Sequence, residues 1–310
     1  MDNIWERSIP FYDLQLKELE QVITEYDHRL DILDFYPINV GCRNSNFKVS
    51  TNNGYLLLRI CPLYDTSYKK ERIISESFYE HIKVPKLLYI SEINITQRTC
   101  LIYEYIHGIS MQEYLLQVSN PEEDIIAQVA KSAAYIHSSD IIFNDEDCVN
   151  YPPFLTWYDM FLDKELVIER LGRDVHNRVK ALINNKKVDL CIIDTYSSFI
   201  HSDFRPANML IDKSKKVWIV DWEFSGYGHS LADIGQFFRY SNYFKPKHTK
   251  LFEEEYNCYS KRTLPPDWYN LCKLRDLVNP LQMLGAKENL PQKYVDLKKL
   301  VMDTCNYFGY

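Results

Sequence analysis

The chain has 310 residues, 46% of them hydrophobic and 25% charged, and a net charge of −7. This is an ordinary globular composition, long enough for two lobes with a cleft between them. The acidic balance argues against a general nucleic-acid binder and is compatible with a cationic ligand. Eight dispersed cysteines without a C-x-x-C pair, a start without a basic and then apolar leader, and no apolar run of membrane-spanning length are read as a soluble cytoplasmic protein with reduced thiols.

From the N-terminus, Leu14, Leu16, Leu19, Val22 and Ile23 are spaced for an amphipathic helix within residues 11–33. Two strands are expected next, Ile38–Gly41 and Asn46–Ser50, around a turn at Cys42 to Ser45. Asn53-Gly54 is a strong hairpin signal that leads into a third strand, Tyr55–Ile60. On the second strand, alternation puts Lys48 on a polar face with Asn46 and Ser50.

Tyr68–Lys83 reads as a helix that ends before Pro85. Glu71, Ile74, Phe78 and Ile82 fall on one face, so Glu71 points with the inward apolar residues while Glu76 does not. Lys86–Ile90 and Thr99–Ile106 complete a five-stranded antiparallel sheet. Residues 121–138 carry a core stripe of Ile125, Val129, Ala133 and Ile136, with Glu122 and Glu123 in the first turn where the helix dipole favours them. His137 ends that stripe as a packing histidine.

Residues 140–198 form an insertion with further helical patterns. It leads into FIHSDFRPANMLIDKSKKVWIVDWEFS, Phe199 to Ser225. This stretch holds His201, Asp203 and Asn208 in the frame H-x-D-x-x-x-x-N. The apolar runs Met209–Ile211 and Val217–Val220 follow, separated by a polar turn, and then Asp221. A hairpin of this kind returns Asn208 and Asp221 to the same end. The layout is that of a phosphoryl-transfer centre. Such chemistry asks mainly for positioning and charge neutralisation, because the transition state is loose and highly anionic. Asp203 would orient the attacking hydroxyl and take its proton, and Asn208 and Asp221 would ligate Mg²⁺, which prefers oxygen donors. Three helical stretches, roughly 248–262, 266–285 and 291–307, finish the chain without a linker, repeat or low-complexity tract.

On these residues the chain resembles the aminoglycoside phosphotransferase and choline kinase-like family, relatives of the protein kinases. Its members carry H-G-D-x-x-x-x-N and then a hydrophobic-Asp-aromatic-acidic motif, here Val220-Asp221-Trp222-Glu223. Ser202 stands where Gly is common, and Glu223 where protein kinases have Gly. The resemblance implies an α+β, bilobal, protein-kinase-like fold. A nucleotide-binding lobe would span residues 1–106, with the five-stranded sheet and a helix, and a mostly helical catalytic and acceptor-binding lobe residues 107–310. It also implies that the Gly41–Ser45 turn lies over the phosphates, with backbone N–H groups and the Ser45 hydroxyl as contacts. Arg59 would take the place of the phosphate-binding lysine, with Lys48 as its alternative, and Glu71 would orient Arg59. Backbone groups around Glu104 to Ile106 would read the nucleobase. His201 and Asp233, the latter in Gly228–Gly235, would support the catalytic loop.

The expected activity is that of a small-molecule kinase, a monomer that uses Mg²⁺ and either ATP or GTP to phosphorylate a hydroxylated acceptor, without a nucleic-acid or membrane partner. The leading acceptor is an aminoglycoside or other antibiotic. The alternatives are a metabolic alcohol such as choline, ethanolamine or homoserine, and a nucleotide-binding regulator without catalysis. Asp145–Asp147, Glu253–Glu255, Asp159 and Asp163 are candidates to line a pocket for a polyamine sugar. Tyr240, Tyr243 and Trp268 are candidates for an aromatic cage around a quaternary ammonium.

Overall fold

A computed structural model describes residues 5–39, 41–78, 80–92, 95–143, 148–193 and 195–310. The first helix, α1 (Leu16–Tyr26), starts where the Glu18 carboxylate accepts from the Gln15 backbone N–H at 2.8 Å. It ends before the polar run that begins at Asp27, so it is shorter than its apolar periodicity suggests. The first strand is β1 (Ile32–Ile38): it begins in the last two residues read as that helix and lies ahead of the expected strand Ile38–Gly41, of which Ile38 alone is strand among the described residues. Its aromatic and β-branched residues suit a pleated strand. Pro37 is tolerated because β1 lies on the sheet edge.

The strands β2 (Ser45–Thr51), β3 (Gly54–Ile60), β4 (Leu87–Ser91) and β5 (Cys100–Glu104) complete an antiparallel sheet of order β1-β2-β3-β5-β4. Between β3 and β4 lies α2 (Tyr68–Phe78). Strand alternation divides the side chains between two faces. Phe47, Val49, Leu58, Ile60 and Ile102 pack against Leu19, Val22 and Ile23 of α1. On the opposite face, Leu57, Leu101 and Tyr103 pack with Tyr68 at the start of α2. The far end of α2 belongs to the larger core, where Phe78 stacks on Trp222 with ring centroids 5.5 Å apart.

The remainder is mostly helical. After β6 (Gly108–Ser110) come α3 (Met111–Gln117), α4 (Glu123–His137), β7 (Val149–Asn150), α5 (Phe154–Phe161), α6 (Glu165–Leu171) and α7 (Arg173–Ile193). The next elements are β8 (Ser198–Ile200), β9 (Met209–Asp212), β10 (Val217–Ile219), β11 (Gly226–Gly228) and α8 (Leu231–Phe237). The chain closes with α9 (Pro246–Tyr259), α10 (Trp268–Asp276), α11 (Val278–Leu284) and α12 (Pro291–Tyr307). Strands β9 and β10 form the expected hairpin, extended by β6, and β11 lies between β7 and β8. Helix α8 sits close to α10, since a Cβ on Gly235 would meet the Cys272 carbonyl oxygen at 2.4 Å. The eight cysteines are all free thiols, and no helix among the described residues is long and apolar enough to cross a membrane.

Residues 5–9 of the N-terminal segment tie the sheet to the helical part. Arg7 donates to the Gly41 carbonyl at 2.6 Å, and the Ile9 N–H donates to that of Cys42 at 3.2 Å. In the other direction, Trp5 Nε1 donates to Asp296 at 3.0 Å. The Glu6 carboxylate accepts from the first-turn N–H groups of Gln292 and Lys293 in α12, satisfying donors that a helix start otherwise leaves orphaned.

Candidate active site

The loop after β8 is held from below by Asp233 of α8, which is fully buried. Its carboxylate accepts from the backbone N–H groups of His201 and Ser202, each at 2.8 Å, and lies 3.0 Å from His137 Nε2. His137 is therefore a partner of Asp233 as well as a packing residue. Ser202 adopts φ 65°, a left-handed conformation that strains any residue except glycine. The Gln236 side chain steadies it by donating to its carbonyl at 2.7 Å.

His201 bridges the two halves of the motif. Its Nε2 lies 3.0 Å from the Val220 carbonyl, and its Nδ1 accepts from the Asp203 N–H at 3.3 Å. Burial lowers its pKa, which keeps the ring neutral with the proton on Nε2. Asn208 ends a 3-10 turn, Pro206–Asn208, and its amide donates to the Asp203 carbonyl at 2.9 Å and carboxylate at 2.6 Å. Arg205 grips the same carboxylate bidentately, at 2.5 and 2.8 Å. Burial alone would raise the Asp203 pKa, but Arg205, helped by Asn208, outweighs it and holds the carboxyl below its usual range.

At the other end of the hairpin, Asp221 follows β10 with φ 68°. The Val220 N–H donates to the Asn208 carbonyl at 3.0 Å, so Asn208 and Asp221 share one end as their spacing predicts. Asp221 Oδ1 is buried without a hydrogen-bond donor, although Arg59 Nη2 stands 3.3 Å away. Next to it, Glu223 accepts from Asn44 Nδ2 at 3.0 Å and faces Arg43 Nε at 3.6 Å. Burial, reinforced by the neighbouring Asp221 charge, pushes its pKa up to about 8.

Arg59 and Glu71 meet as expected. Arg59 Nη1 lies 3.1 Å from Glu71 Oε1, and the Tyr103 hydroxyl donates to the same carboxylate. Burial raises the Glu71 pKa despite the opposing pull of Arg59. Lys48, the alternative cation, lies 4.1 Å from the Tyr55 ring and 4.8 Å from the Tyr105 ring.

The turn differs from expectation at Ser45. Ser45 is buried at the start of β2 with the parity of Phe47 and Val49, so its hydroxyl faces the α1 side and accepts from the Tyr12 N–H at 2.8 Å. Strand parity takes it away from Arg59, whose cross-strand neighbour is Asn46. Glu104 closes β5. Its N–H donates to the Lys86 carbonyl at 3.1 Å and its carboxylate accepts from the Lys86 N–H at 2.8 Å, while Ile106 lies in the connection to β6.

Beside Asp203 opens a cavity of about 430 Å³, within the usual range for small-molecule sites. Trp5 and Ser8 of the N-terminal segment, Cys42 and Arg43 of the turn, Tyr151, Trp157 and Phe224, and Asn279, Gln282, Met283, Ala286, Glu288, Leu290 and Lys293 are among the residues that line it. Among the described residues, none of the acidic or aromatic candidates for the acceptor pocket is in its walls. Asp163 is engaged by His176 and Lys180, Tyr240 donates to Asp296, Trp268 is buried in the core, and Asp145–Asp147 lie outside the described residues. Arg205 could have been noticed in the sequence, since it sits inside the motif. The cavity walls carry no such signal, because they come from segments far apart along the chain.

The sequence profile of the phosphotransferase enzyme family matches residues 34–264. Among solved structures, the chain is similar to a thermostable mutant of aminoglycoside phosphotransferase APH(4)-Ia in ternary complex with AMP-PNP and hygromycin B. Identity is 17%, the match covers 94% of this chain and 97% of the other, and the TM-score is 0.66. It is also similar to spectinomycin phosphotransferase APH(9)-Ia in complex with ADP and spectinomycin (14% identity, 94% and 95% covered, TM-score 0.66). A third likeness is to choline kinase LicA from Streptococcus pneumoniae (14% identity, 93% and 99% covered, TM-score 0.62). These likenesses show a shared α+β fold. No curated protein sequence matches the chain.

Proposed function

The chain belongs to the phosphotransferase enzyme family and is a small-molecule phosphotransferase, and from that premise we propose that it transfers the γ-phosphoryl group of ATP or GTP to a hydroxyl of a small molecule with the help of Mg²⁺. The observation that carries this reading is the Asp203 carboxylate, fixed between Arg205 and Asn208 at the wall of a cavity of small-molecule size. Similar folds in complex with AMP-PNP and ADP support nucleotide use.

In this reading the acceptor enters the cavity and hydrogen-bonds to Asp203. Its oxygen bonds to the γ-phosphorus while the bond to the β–γ bridging oxygen breaks. The nucleoside diphosphate leaves with the electron pair, and the hydroxyl proton passes to Asp203. A carboxylate held below its usual range stays charged and acts mainly by orienting the hydroxyl, which suits a loose transition state. Arg59, oriented by Glu71, would grip the donor phosphates, and backbone groups near Ile106 would meet the nucleobase. Residues 1–106 would mainly hold nucleotide and residues 107–310 the acceptor.

The residues present fit Mg²⁺. The described chain contains no cluster of three or more His, Cys, Asp or Glu placed for a metal. It does offer the orphaned buried oxygen of Asp221 together with the Asn208 amide oxygen. One carboxylate and one neutral oxygen match an ion that keeps waters and phosphates as its other ligands. When bound, Mg²⁺ would neutralise charge on the donor phosphates.

The cavity charge bears on the acceptor. Arg43, Arg205, Arg239 and Lys293 line it against Asp203 and Glu288, which disfavours an antibiotic with several ammonium groups and supports a metabolic alcohol. The test is nucleotide consumption with Mg²⁺, using ATP and GTP separately, against amino-sugar antibiotics, choline, homoserine and uncharged or acidic alcohols. Acceptor-dependent turnover that disappears in Asp203→Asn supports the reading, and turnover unchanged in that variant defeats it.

A further inference from the structure

The cavity beside Asp203 gathers its positive charge unevenly. Arg239 is neutralised from behind by a bidentate pair with Asp276, at 2.7 and 2.8 Å. Arg43 stands near Glu223 and Asp65, at 3.6 and 3.5 Å, and Arg205 holds Asp203. Lys293, in the first turn of α12, has no carboxylate in ion-pair contact among the described residues. Its Nζ lies 4.9 Å from the centre of the Trp5 indole, and the Arg205 guanidinium lies 5.7 Å from the same ring. Two cations therefore gather around one aromatic side chain at the cavity wall, where each repels the other.

Such an arrangement costs stability unless an anion joins it. Burial lowers the Lys293 pKa, and the Arg205 charge acts in the same direction. Asp203 and Glu288 oppose that shift, but the reaction assigns Asp203 to the acceptor hydroxyl. Asp203 stays charged between Arg205 and Asn208, so it is not free to pair with Lys293.

We propose that the acceptor is an alcohol carrying an anionic group, a carboxylate or phosphate ester, and that Lys293 binds this group while the hydroxyl meets Asp203. The inference rests on the phosphotransfer reading of the same site. Lys293 sets specificity by charge, since an ammonium facing a carboxylate gives a short, charge-assisted contact, while a cationic acceptor would meet like charge. Trp5 fixes the position of the ammonium, and the N-terminal segment thereby shapes the acceptor site.

The experiment uses the full chain with Mg²⁺ and nucleotide, and compares glycerate, gluconate and glucose 6-phosphate with glycerol, glucose, choline and hygromycin B. The expected result is a kcat/KM for at least one anionic acceptor that exceeds every uncharged or cationic one by about tenfold or more. In Lys293→Ala and Lys293→Gln that acceptor should lose about 10- to 100-fold, mainly in KM. Lys293→Arg should retain most of the preference, with nucleotide affinity and unfolding midpoint as controls. Preferred transfer to choline, hygromycin B or an uncharged alcohol, or an unchanged KM in both Lys293 variants, overturns the inference and leaves the phosphotransfer reading intact. Failure to transfer to any of these acceptors counts against both.

Discussion

Arg59 Nη2 lies 3.3 Å from Asp221 Oδ1 while its Nη1 lies 3.1 Å from Glu71 Oε1, so one buried guanidinium joins β3, α2 and the end of the β9–β10 hairpin. A single cation serves two carboxylates. Arginine suits that position because its fork presents separate donors to each and stays charged when buried, whereas a lysine is one compact point charge.

Arg59→Ala is expected to weaken nucleotide binding about 10- to 100-fold and to destabilise the chain by about 3 kcal/mol, because Glu71 is left buried without its cationic partner. Arg59→Lys should recover part of the affinity, and Lys48→Ala should change it less than about threefold. Fluorescent-nucleotide titration with urea unfolding separates these effects. A larger loss in Lys48→Ala than in Arg59→Ala would move the phosphate cation to β2.

Asp203→Asn is expected to lower turnover by about 10²- to 10⁴-fold, the usual range for removing a positioned general base. Nucleotide affinity should stay near that of the unchanged chain. Single-turnover assays with saturating nucleotide test this, and equal rates in both proteins would remove Asp203 from the chemistry.

Asp233→Ala should be a stability variant as much as an activity variant. Its carboxylate satisfies the N–H groups of buried His201 and half-buried Ser202 and contacts buried His137. Leaving those donors unsatisfied should cost about 2–4 kcal/mol in urea unfolding. A change below about 0.5 kcal/mol would mean that the loop is held by something else.

His229 gives stability a pH dependence. Burial, reinforced by Arg275 and His137, lowers its pKa from 6.5 to about 3. Between those values the unfolded chain binds a proton that the folded chain refuses, so stability rises with pH across the window. The contribution is complete above 6.5 and is lost as pH falls toward about 3. Unfolding midpoints measured from pH 7 down to pH 5 should fall, and His229→Gln should flatten the slope. An equal slope in the variant would assign the effect to other groups.

Gly235→Ala tests the packing of α8 on α10. The new methyl would meet the Cys272 carbonyl at 2.4 Å, and backbone cannot yield as a flexible side chain would. A loss of about 1–3 kcal/mol is expected.

Much of this protein was legible along the chain. The His201, Asp203, Asn208 and Asp221 spacing is local, and a short hairpin must bring its two ends together, so the clustering of these residues follows from chain geometry. The helical face of Glu71 and the hairpin signal at Asn53-Gly54 are local in the same sense. Other features depended on partners remote in sequence. The strand Ile32–Ile38 forms because an edge position accepts Pro37, and Ser45 turns to the α1 side because its register with β3 fixes which face it occupies. The cavity beside Asp203 was beyond reach, since its walls join residues near 5, 43, 203, 239 and 293. Local periodicity determines elements and motifs, whereas the charge of a cavity is settled only when distant side chains, each with or without a neutralising partner, are packed around the same space.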